Sequence, residues 1–189
     1  MKLYLKNMVS RSCILMVKSE LDKLCVPYIN VSLGEIEIDG TLTPELYQQT
    51  IQALQKSGFD VLLNNQKILT ERIKNIIVEF VHYTEDDLKF NFSSYLSSKL
   101  KLHYTYLSNV FFKEQGISIK QYTIAQRVER VKELITYEEL NLTEIAFKTN
   151  YSSIAHLSRQ FKKTTGISPS NYKKLNDKML IPIEQVGMA

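Results

Sequence analysis

Two stretches of the chain carry the same pattern of residues. Residues 93–122 read SSYLSSKLKLHYTYLSNVFFKEQGISIKQY, and residues 142–172 read LTEIAFKTNYSSIAHLSRQFKKTTGISPSNY. In each stretch a short apolar helix is followed by a turn and by a second helix that ends in aromatic, lysine and glycine residues. The matching residues are Leu107, Phe111, Phe112, Gly116 and Ser118 in the first stretch and Leu157, Phe161, Lys162, Gly166 and Ser168 in the second. The repeat predicts two helix-turn-helix units in tandem.

A long helix is predicted between the two units. From Ser118 to Tyr137 apolar residues recur at helical spacing, at Ile124, Val128, Val131 and Ile135. Roughly 20 residues of helix span about 30 Å, close to the separation of about 34 Å between successive major-groove faces of DNA. The helix could therefore hold two groove-reading helices one DNA turn apart. We expect its charged residues to point mostly outward: Arg127, Glu129, Arg130 and Lys132.

Composition sets broad limits on the class of protein. The chain has 189 residues, of which 44% are hydrophobic, as is ordinary for a globular protein with a core. We find no apolar run near the roughly 18 residues that span a bilayer, and Lys6 and Asn7 interrupt the apolar N-terminus. Cys13 and Cys25 are too few for a disulfide scaffold. We therefore expect a cytoplasmic protein.

Positive charge is concentrated in the second half of the chain. Residues 1–66 carry a net charge of about −1 and the remainder about +5. From Lys148 to Lys178 the sequence contains seven lysine or arginine residues and one acidic residue, Asp177. Such a block can be an ordinary solvated face, but its overlap with the second repeat favours contact with nucleic acid.

The first 65 residues read as a mixed α/β domain. Strands are predicted around Leu3 and Leu5, from Ile29 to Leu33, at Ile36 and Ile38, and from Asp60 to Leu63; helices are predicted at 14–24 and 43–58, the second opened by Thr43 and Pro44. The order strand, helix, strand, strand, helix, strand is that of the ferredoxin-like split βαβ fold. The whole chain is thus predicted to be α+β, with this domain followed by an all-α domain of two helix-turn-helix units joined by a long helix.

This N-terminal domain resembles a heavy-metal-associated domain. That family carries the loop Met-x-Cys-x-x-Cys after its first strand, and the matching residues here run from Met8 to Cys13, with Ser10 at the first cysteine position. A serine hydroxyl is a poor ligand for monovalent copper, which favours two thiolates. Cys25 falls after the helix, too far to complete the pair easily. No metal is therefore expected, and Cys13 is the one candidate ligand.

The sequence pattern of residues 66–83 predicts an amphipathic helix. Its apolar stripe comprises Leu69, Ile73, Ile76, Ile77, Phe80 and Val81. The helix either packs in the C-terminal domain or joins a second copy as a short coiled coil, and its short length favours the first. An acidic turn at Glu85, Asp86 and Asp87 follows.

The second half, from about Ile68 to Leu175, resembles the AraC/XylS family of bacterial transcription regulators. The resemblance rests on QRVERVKELI from Gln126, on Glu144-Ile145-Ala146, and on LSRQFKKTTGISPSNY from Leu157, in the order and spacing of the family. It implies a DNA-binding domain. We predict a ferredoxin-like domain at 1–66, an AraC-type DNA-binding domain at 67–176 and a C-terminal tail at 177–189.

Candidate DNA-contacting residues follow from helical spacing. In the second helix-turn-helix unit Leu157 and Phe161 point inward, which leaves the intervening residues to face solvent or DNA. Arg159 could pair bidentately with guanine, whereas Lys162 and Lys163 would touch phosphates. The candidates of this unit are Ser152, Ser153, Ala155, His156, Ser158, Arg159, Lys162 and Lys163, with Ser152 or Ser153 as the cap of the helix.

The first helix-turn-helix unit offers weaker readout. Leu107 and Phe111 point inward, and the outward candidates are Thr105, Tyr106, Ser108 and Asn109. Asn109 could bond adenine and Thr105 could touch a thymine methyl group, although the family often has arginine at the position of Asn109. Where the family usually has glycine in the turns, this chain has Lys101 and Asn150. Asparagine tolerates the left-handed conformation better than lysine, so an irregular first turn is expected.

Catalysis is not indicated. His82, His103 and His156 are dispersed, and we find neither a glycine-rich phosphate loop nor a serine nucleophile with its partners. We expect no cofactor. The expected partners are double-stranded DNA, RNA polymerase, an effector or protein at the N-terminal domain, and a second copy of the chain. Two alternatives remain: a copper-responsive sensor or metal-handling protein acting through the N-terminal domain, and an interaction adaptor that has lost operator reading.

Overall fold

A computed structural model describes residues 1–83 and 92–187, so the predicted acidic turn at 85–87 lies outside the described residues. The chain divides into two compact parts, which we call the N-terminal part (Met1–Ile76) and the C-terminal part (Ile77–Ala189). The N-terminal part contains a small antiparallel sheet and the C-terminal part is helical, which confirms the α+β class. The domain boundary at residues 66 and 67 stays a prediction.

The N-terminal part alternates strands and helices in the predicted order. Its elements are β1 (Lys2–Leu5), α1 (Arg11–Lys23), β2 (Tyr28–Ser32), β3 (Glu35–Ile38), α2 (Pro44–Lys56), β4 (Val61–Leu62) and α3, which spans Asn65–Val78 and continues into the C-terminal part. The strands form one sheet in the order β2-β3-β1-β4, and β1 pairs antiparallel with both β3 and β4. The two strands that a helix connects are therefore never neighbours in the sheet.

The core of the N-terminal part lies between the sheet and the helices α1 and α2. Alternate residues of β1 and β3 are buried on one face, and they pack with Val17 and Leu21 of α1 and Leu54 of α2. Thr43 caps α2 through its side chain, with Pro44 at the first helical position as predicted. Ile29 departs from the predicted alternation, because a register shift between Tyr28 and Asn30 leaves it 64% exposed.

The helix predicted at 66–83 is α3 followed by a π-helical turn, Glu79–Tyr83. Its apolar stripe is buried as predicted, except that Ile76 is half-buried. The amphipathic expectation was wrong for the polar side, because Thr70, Glu71, Lys74 and Asn75 are also buried. Glu71 and Lys74 form an ion pair of 3.0 Å. Burial of both ions is tolerated because each neutralises the other.

The C-terminal part contains the two predicted helix pairs. After the π-helical turn its elements are α4 (Phe92–Leu100), α5 (Tyr104–Gln115), α6 (Ile119–Tyr137), α7 (Leu142–Lys148), α8 (Ile154–Thr165), α9 (Pro169–Lys173) and a 3₁₀ turn (Ile183–Gln185). Helices α4 and α5 form the first pair, and α7 and α8 form the second. None of the helices within the described ranges is long and apolar enough to cross a membrane.

Helix α6 is the long helix predicted between the pairs, and it is more buried than expected. Ser118 begins it with a capping box to Gln121. The helix packs against α5, α7, α8, α9 and the π-helical turn. The prediction that its charged residues point outward was wrong, because Glu129 is buried and Arg127, Arg130 and Lys132 are half-buried. Packing on several sides leaves α6 little free surface.

Candidate nucleic-acid interface

The repeat in the sequence is a repeat in three dimensions. Helices α5 and α8 each have 12 residues, and each ends at a glycine in the left-handed conformation, Gly116 at φ 71° and Gly166 at φ 84°. Ser118 and Ser168 then cap the helices that follow. The inward positions are confirmed, because Leu107, Phe111, Leu157 and Phe161 are fully buried. Each helix-turn-helix unit thus presents the remaining face of its second helix outward.

One aromatic contact is the same in both helix-turn-helix units. Tyr122 of α6 lies edge-on to Phe111, with ring centroids 5.5 Å apart and an interplanar angle of 62°. Tyr172 of α9 lies edge-on to Phe161, also at 5.5 Å, with an angle of 67°. The start of α6 therefore supports the first unit as α9 supports the second.

The turns between the paired helices adopt the left-handed conformation. Lys101 has φ 55° and Asn150 has φ 56°. Each is followed by a residue whose backbone N–H donates to the carbonyl five residues earlier, Leu102 to Ser97 and Tyr151 to Ala146. From the left-handed residue to the N-cap the first turn is one residue shorter, because His103 directly follows Leu102 as the N-cap of α5. The irregularity expected from Lys101 is therefore not seen in its backbone conformation, and the two turns differ in length instead.

The start of α8 is fixed by side chains. Ser153 is the N-cap, and its hydroxyl accepts the backbone N–H of His156 at 3.1 Å. The hydroxyl of Ser152 lies 3.0 Å from Nδ1 of His156. The His156 ring also stands edge-on to Tyr151, with centroids 5.2 Å apart. In the first helix-turn-helix unit the corresponding cap, His103, makes no side-chain hydrogen bond to α5. The two helix starts therefore differ in how firmly they are held.

The predicted contact residues of the second helix-turn-helix unit lie on the accessible side of α8. Ser152, Ser153, Ala155, Arg159, Lys162 and Lys163 are exposed, while His156 and Ser158 are half-buried. Among the described residues Arg159, Lys162 and Lys163 form no ion pair. On α6, by contrast, Arg130 and Lys132 are paired with Glu133 and Glu129. The cations of α8 are thus free to meet an external anion.

The corresponding face of α5 is less charged. Thr105, Tyr106 and Asn109 are exposed and Ser108 is half-buried. Phe112 occupies the position of Lys162 and is 58% exposed, and Tyr106 is 50% exposed. An exposed aromatic ring in place of a lysine removes a positive charge from this face and adds apolar surface. The sequence repeat already pairs Phe112 with Lys162, so this difference was detectable without the structure.

Arg127 is a residue whose place the sequence did not reveal. Its guanidinium carbon lies 5.8 Å from the ring centroid of Phe80 and 6.0 Å from that of Tyr151. Burial lowers the pKa of the Arg127 guanidinium and raises the pKa of the Tyr151 phenol. Within the described residues the Tyr151 hydroxyl is buried without a hydrogen-bond partner. Arg127 therefore connects α6 to the turn that precedes α8.

The N-terminal part contains the predicted candidate ligand, Cys13, near Ser10. The Ser10 hydroxyl lies 3.3 Å from the Cys13 sulfur and belongs to the N-cap of α1. Met8 is fully buried, and its sulfur accepts the backbone N–H of Gly34. In the described part of the chain no three His, Cys, Asp or Glu side chains cluster as a metal site would require. Cys13 is left as one soft donor beside a hydroxyl.

Comparison with known proteins agrees with the geometry of the C-terminal part. A helix-turn-helix domain family matches residues 96–175. The uncharacterized HTH-type transcriptional regulator YtdP of Bacillus subtilis (strain 168) is 29% identical over 153 residues, which are 77% of this chain and 20% of that protein. The uncharacterized HTH-type transcriptional regulator YdiP of Escherichia coli (strain K12) is 33% identical over 79 residues, 42% of this chain and 26% of that protein.

A solved structure also resembles part of this chain. The C-terminal domain of AraT, a response regulator from Geobacillus stearothermophilus, is 27% identical with a TM-score of 0.51, covering 63% of this chain and 92% of that one. The chain spans between 20% and 53% of the length of the first three curated relatives it matches. Residues 96–175 are thus similar to a helix-turn-helix domain family, and the chain is similar in fold to the C-terminal domain of a response regulator.

Proposed function

We propose that the protein is a sequence-specific DNA-binding transcription regulator of AraC type. The observation that carries this proposal is the exposed face of α8, where Arg159, Lys162 and Lys163 stand without ion-pair partners in the described structure. Cations left unpaired on the outer helix of a helix-turn-helix unit suit contact with phosphates and base edges. The names of the relatives, which are transcriptional regulators, support the same function.

The two helix-turn-helix units read two successive major-groove faces in this proposal. Helix α6 has 19 residues and so spans about 28 Å. Its start supports α5 through Tyr122, and its later turns pack against α7 and α8. Helix α8 carries three cations and no carboxylate, whereas α5 reads through Thr105, Asn109 and the exposed ring of Phe112. We expect the second unit to dominate affinity.

The N-terminal part serves as an effector-binding or protein-interaction module, and we infer that it has the ferredoxin-like fold. The strand order β2-β3-β1-β4, the antiparallel pairing throughout and the packing of α1 on α2 support that fold. The heavy-metal-associated resemblance does not extend to a metal role, because Met8 is buried and Ser10 replaces a thiolate. RNA polymerase and a second copy of the chain are the further partners we propose.

Selection from random DNA tests the function directly. The purified full-length chain is incubated with a randomised duplex library, and bound fragments are recovered, amplified and sequenced over several rounds. We expect one motif with two half-sites. The Lys162→Ala, Lys163→Ala double variant should recover it poorly, whereas a Lys56→Ala, Lys67→Ala variant, with the same change in charge, should recover it as the native chain does. No enriched motif with the native chain would refute sequence-specific reading.

A further inference from the structure

The segment that follows α9 lies back along α6. We call residues 179–187 the strap. The hydroxyl of Tyr172 donates to the carbonyl oxygen of Met179 at 3.1 Å. The backbone N–H of Ile181 donates to the buried carboxylate of Glu129, also at 3.1 Å. The strap is therefore tied at its start to α9 and then to the middle of α6.

The far end of the strap reaches the start of α6. The side-chain amide of Gln126, which is fully buried, donates to the carbonyl oxygen of Ile183 at 3.1 Å and to the Tyr122 hydroxyl at 3.0 Å. Val186 is only 2% exposed. Gly187 has φ 78°, and a side chain there would come within 2.8 Å of the Tyr122 ring. A glycine is needed at this position both for the backbone and for the close approach.

The two ends of the strap contact equivalent residues of the repeat. Tyr172 packs on Phe161 in the second helix-turn-helix unit, and Tyr122 packs on Phe111 in the first unit with the same edge-on geometry. The strap therefore spans from the second helix-turn-helix unit to the first. This arrangement was not predicted, because the sequence showed only a tail without periodicity after residue 176.

Polar contacts rather than close packing hold the middle of the strap. A cavity of about 340 Å³ lies beside it, lined among others by Ala125, Thr165 and Ile181. Gln126 and Glu129 are buried side chains on α6 whose hydrogen bonds are completed by the strap backbone. Removal of the strap would leave part of their hydrogen-bonding capacity unmet or open to water. These hydrogen bonds fix the position of the strap on α6 despite the cavity.

We propose that the strap fixes the separation of the two helix-turn-helix units and so sets the half-site spacing that one chain reads. The proposal rests on the proposed function for its DNA consequence, but the separation of the units is a property of the protein alone. Without the strap, α6 still joins the units and Tyr122 still packs on Phe111, yet the tie that runs from Tyr172 to the start of α6 is lost. The distance between α5 and α8 then varies more widely.

A distance measurement without DNA tests the strap. Spin labels are placed at Phe112→Cys on α5 and Thr164→Cys on α8, with Cys13 and Cys25 changed to serine, and pulsed dipolar spectroscopy reports the distribution. We expect a narrow distribution that broadens when residues 179–189 are deleted and when Gly187→Val forces the end of the strap off Tyr122. Met179→Ala is the matched control, because that side chain is 79% exposed and only its backbone oxygen is used.

The DNA consequence is measured on operators with altered spacing. Lengthening the DNA between the two half-sites by two base pairs should lower the affinity of the native chain about tenfold or more. The same change should lower the affinity of the deletion variant and of Gly187→Val about threefold or less. If the distance distribution stays narrow in both variants while their circular dichroism spectra are unchanged, the strap does not fix the separation of the units. If the deletion variant fails to fold, Gly187→Val decides alone. If the native chain binds no operator, the proposed function fails, while the distance measurement still tests whether the strap fixes the separation of the units.

Discussion

The guanidinium of Arg127 lies over the ring of Tyr151, 6.0 Å from its centroid, and joins α6 to the turn that precedes α8. The Phe80 ring lies near the same guanidinium, at 5.8 Å. Tyr151 in turn stands edge-on to His156 in the first turn of α8. These successive contacts position the start of α8, the helix that carries Arg159, Lys162 and Lys163.

Replacing Arg127 should destabilise the protein. Arg127→Ala removes two ring contacts and the packing of the aliphatic stem, which we expect to lower the free energy of unfolding by about 1–2 kcal/mol. Arg127→Lys keeps the charge but not the flat guanidinium, so it should recover only part of that stability. Denaturant unfolding of the full chain measures both. Equal midpoints for Arg127→Ala and the native chain would show that the contacts contribute no stability.

Arg159→Ala should lower specific DNA binding by about 1–3 kcal/mol, since it removes a bidentate pair with guanine. The preference for particular bases should weaken at one or two adjacent base pairs of the operator and stay unchanged at its other positions. Titration of the selected operator and of its single-base variants measures both effects. The role assigned to Arg159 is wrong if affinity and base preference are both unaltered.

Lys163→Ala should weaken binding to all sequences alike. Removing one cation from the phosphate backbone reduces the slope of log affinity against log salt by about 0.9, because fewer counterions are released on binding. The slope is measured on the operator and on an unrelated duplex. Lys56→Ala, in the N-terminal part, is the charge-matched control and should leave the slope unchanged. A weakening confined to the operator would instead make Lys163 a base-reading residue.

The stability of the protein should fall as the pH is lowered through the range in which histidine titrates. Burial lowers the pKa of His82, although its hydrogen bond to Gln126 acts in the opposite direction, as does Glu133, while Arg130 adds to the lowering. The unfolded chain then binds the proton more readily, so stability is full above about pH 6.5 and declines below it, down to the depressed pKa of the folded state.

His82→Gln removes this titration while keeping a polar side chain beside Gln126. Its unfolding free energy should therefore depend less on pH than that of the native chain between about pH 6.5 and pH 5. Denaturant unfolding at half-unit pH steps measures the difference. Parallel curves for the two proteins would rule out His82 as the group responsible.

The N-terminal part should bind monovalent copper weakly in its native form. Ser10→Cys places a second thiol beside Cys13, where the hydroxyl now lies 3.3 Å from the sulfur, and should strengthen binding markedly. Removal of the serine cap of α1 costs about 1 kcal/mol, which the full chain should tolerate. Competition with a calibrated copper chelator compares the two proteins. Equally tight binding by both would mean that Cys13 finds another ligand, and a metal-sensing role would return.

Much of the C-terminal part was predictable because its pattern depends on local spacing. Leu107 and Phe111, like Leu157 and Phe161, stand four residues apart, and helical geometry alone puts each pair on one face. The left-handed turn at Asn150 was also predicted, whereas Lys101 adopts the same conformation where an irregular turn was expected. The exposure of the candidate residues on α5 and α8 is a consequence of the same spacing.

Features set by long-range packing were not predictable. Ile29 faces solvent because of a register shift in β2, which the alternation of side chains cannot indicate. Glu129 is buried because the strap, some 50 residues further along the chain, donates Ile181 N–H to it. Arg127 is half-buried because two rings from other elements converge on it. In each case a partner distant in sequence determines the environment of a residue whose own neighbours suggest another.

Hydroxyl-radical footprinting of the native chain on its selected operator tests most directly whether one chain reads two successive major-groove faces. We expect two protected tracts about one helical turn apart when one chain is bound to each duplex, with the tract under α8 the more strongly protected. One protected tract, unchanged in length when residues of α5 such as Thr105 and Asn109 are replaced by alanine, would contradict this expectation.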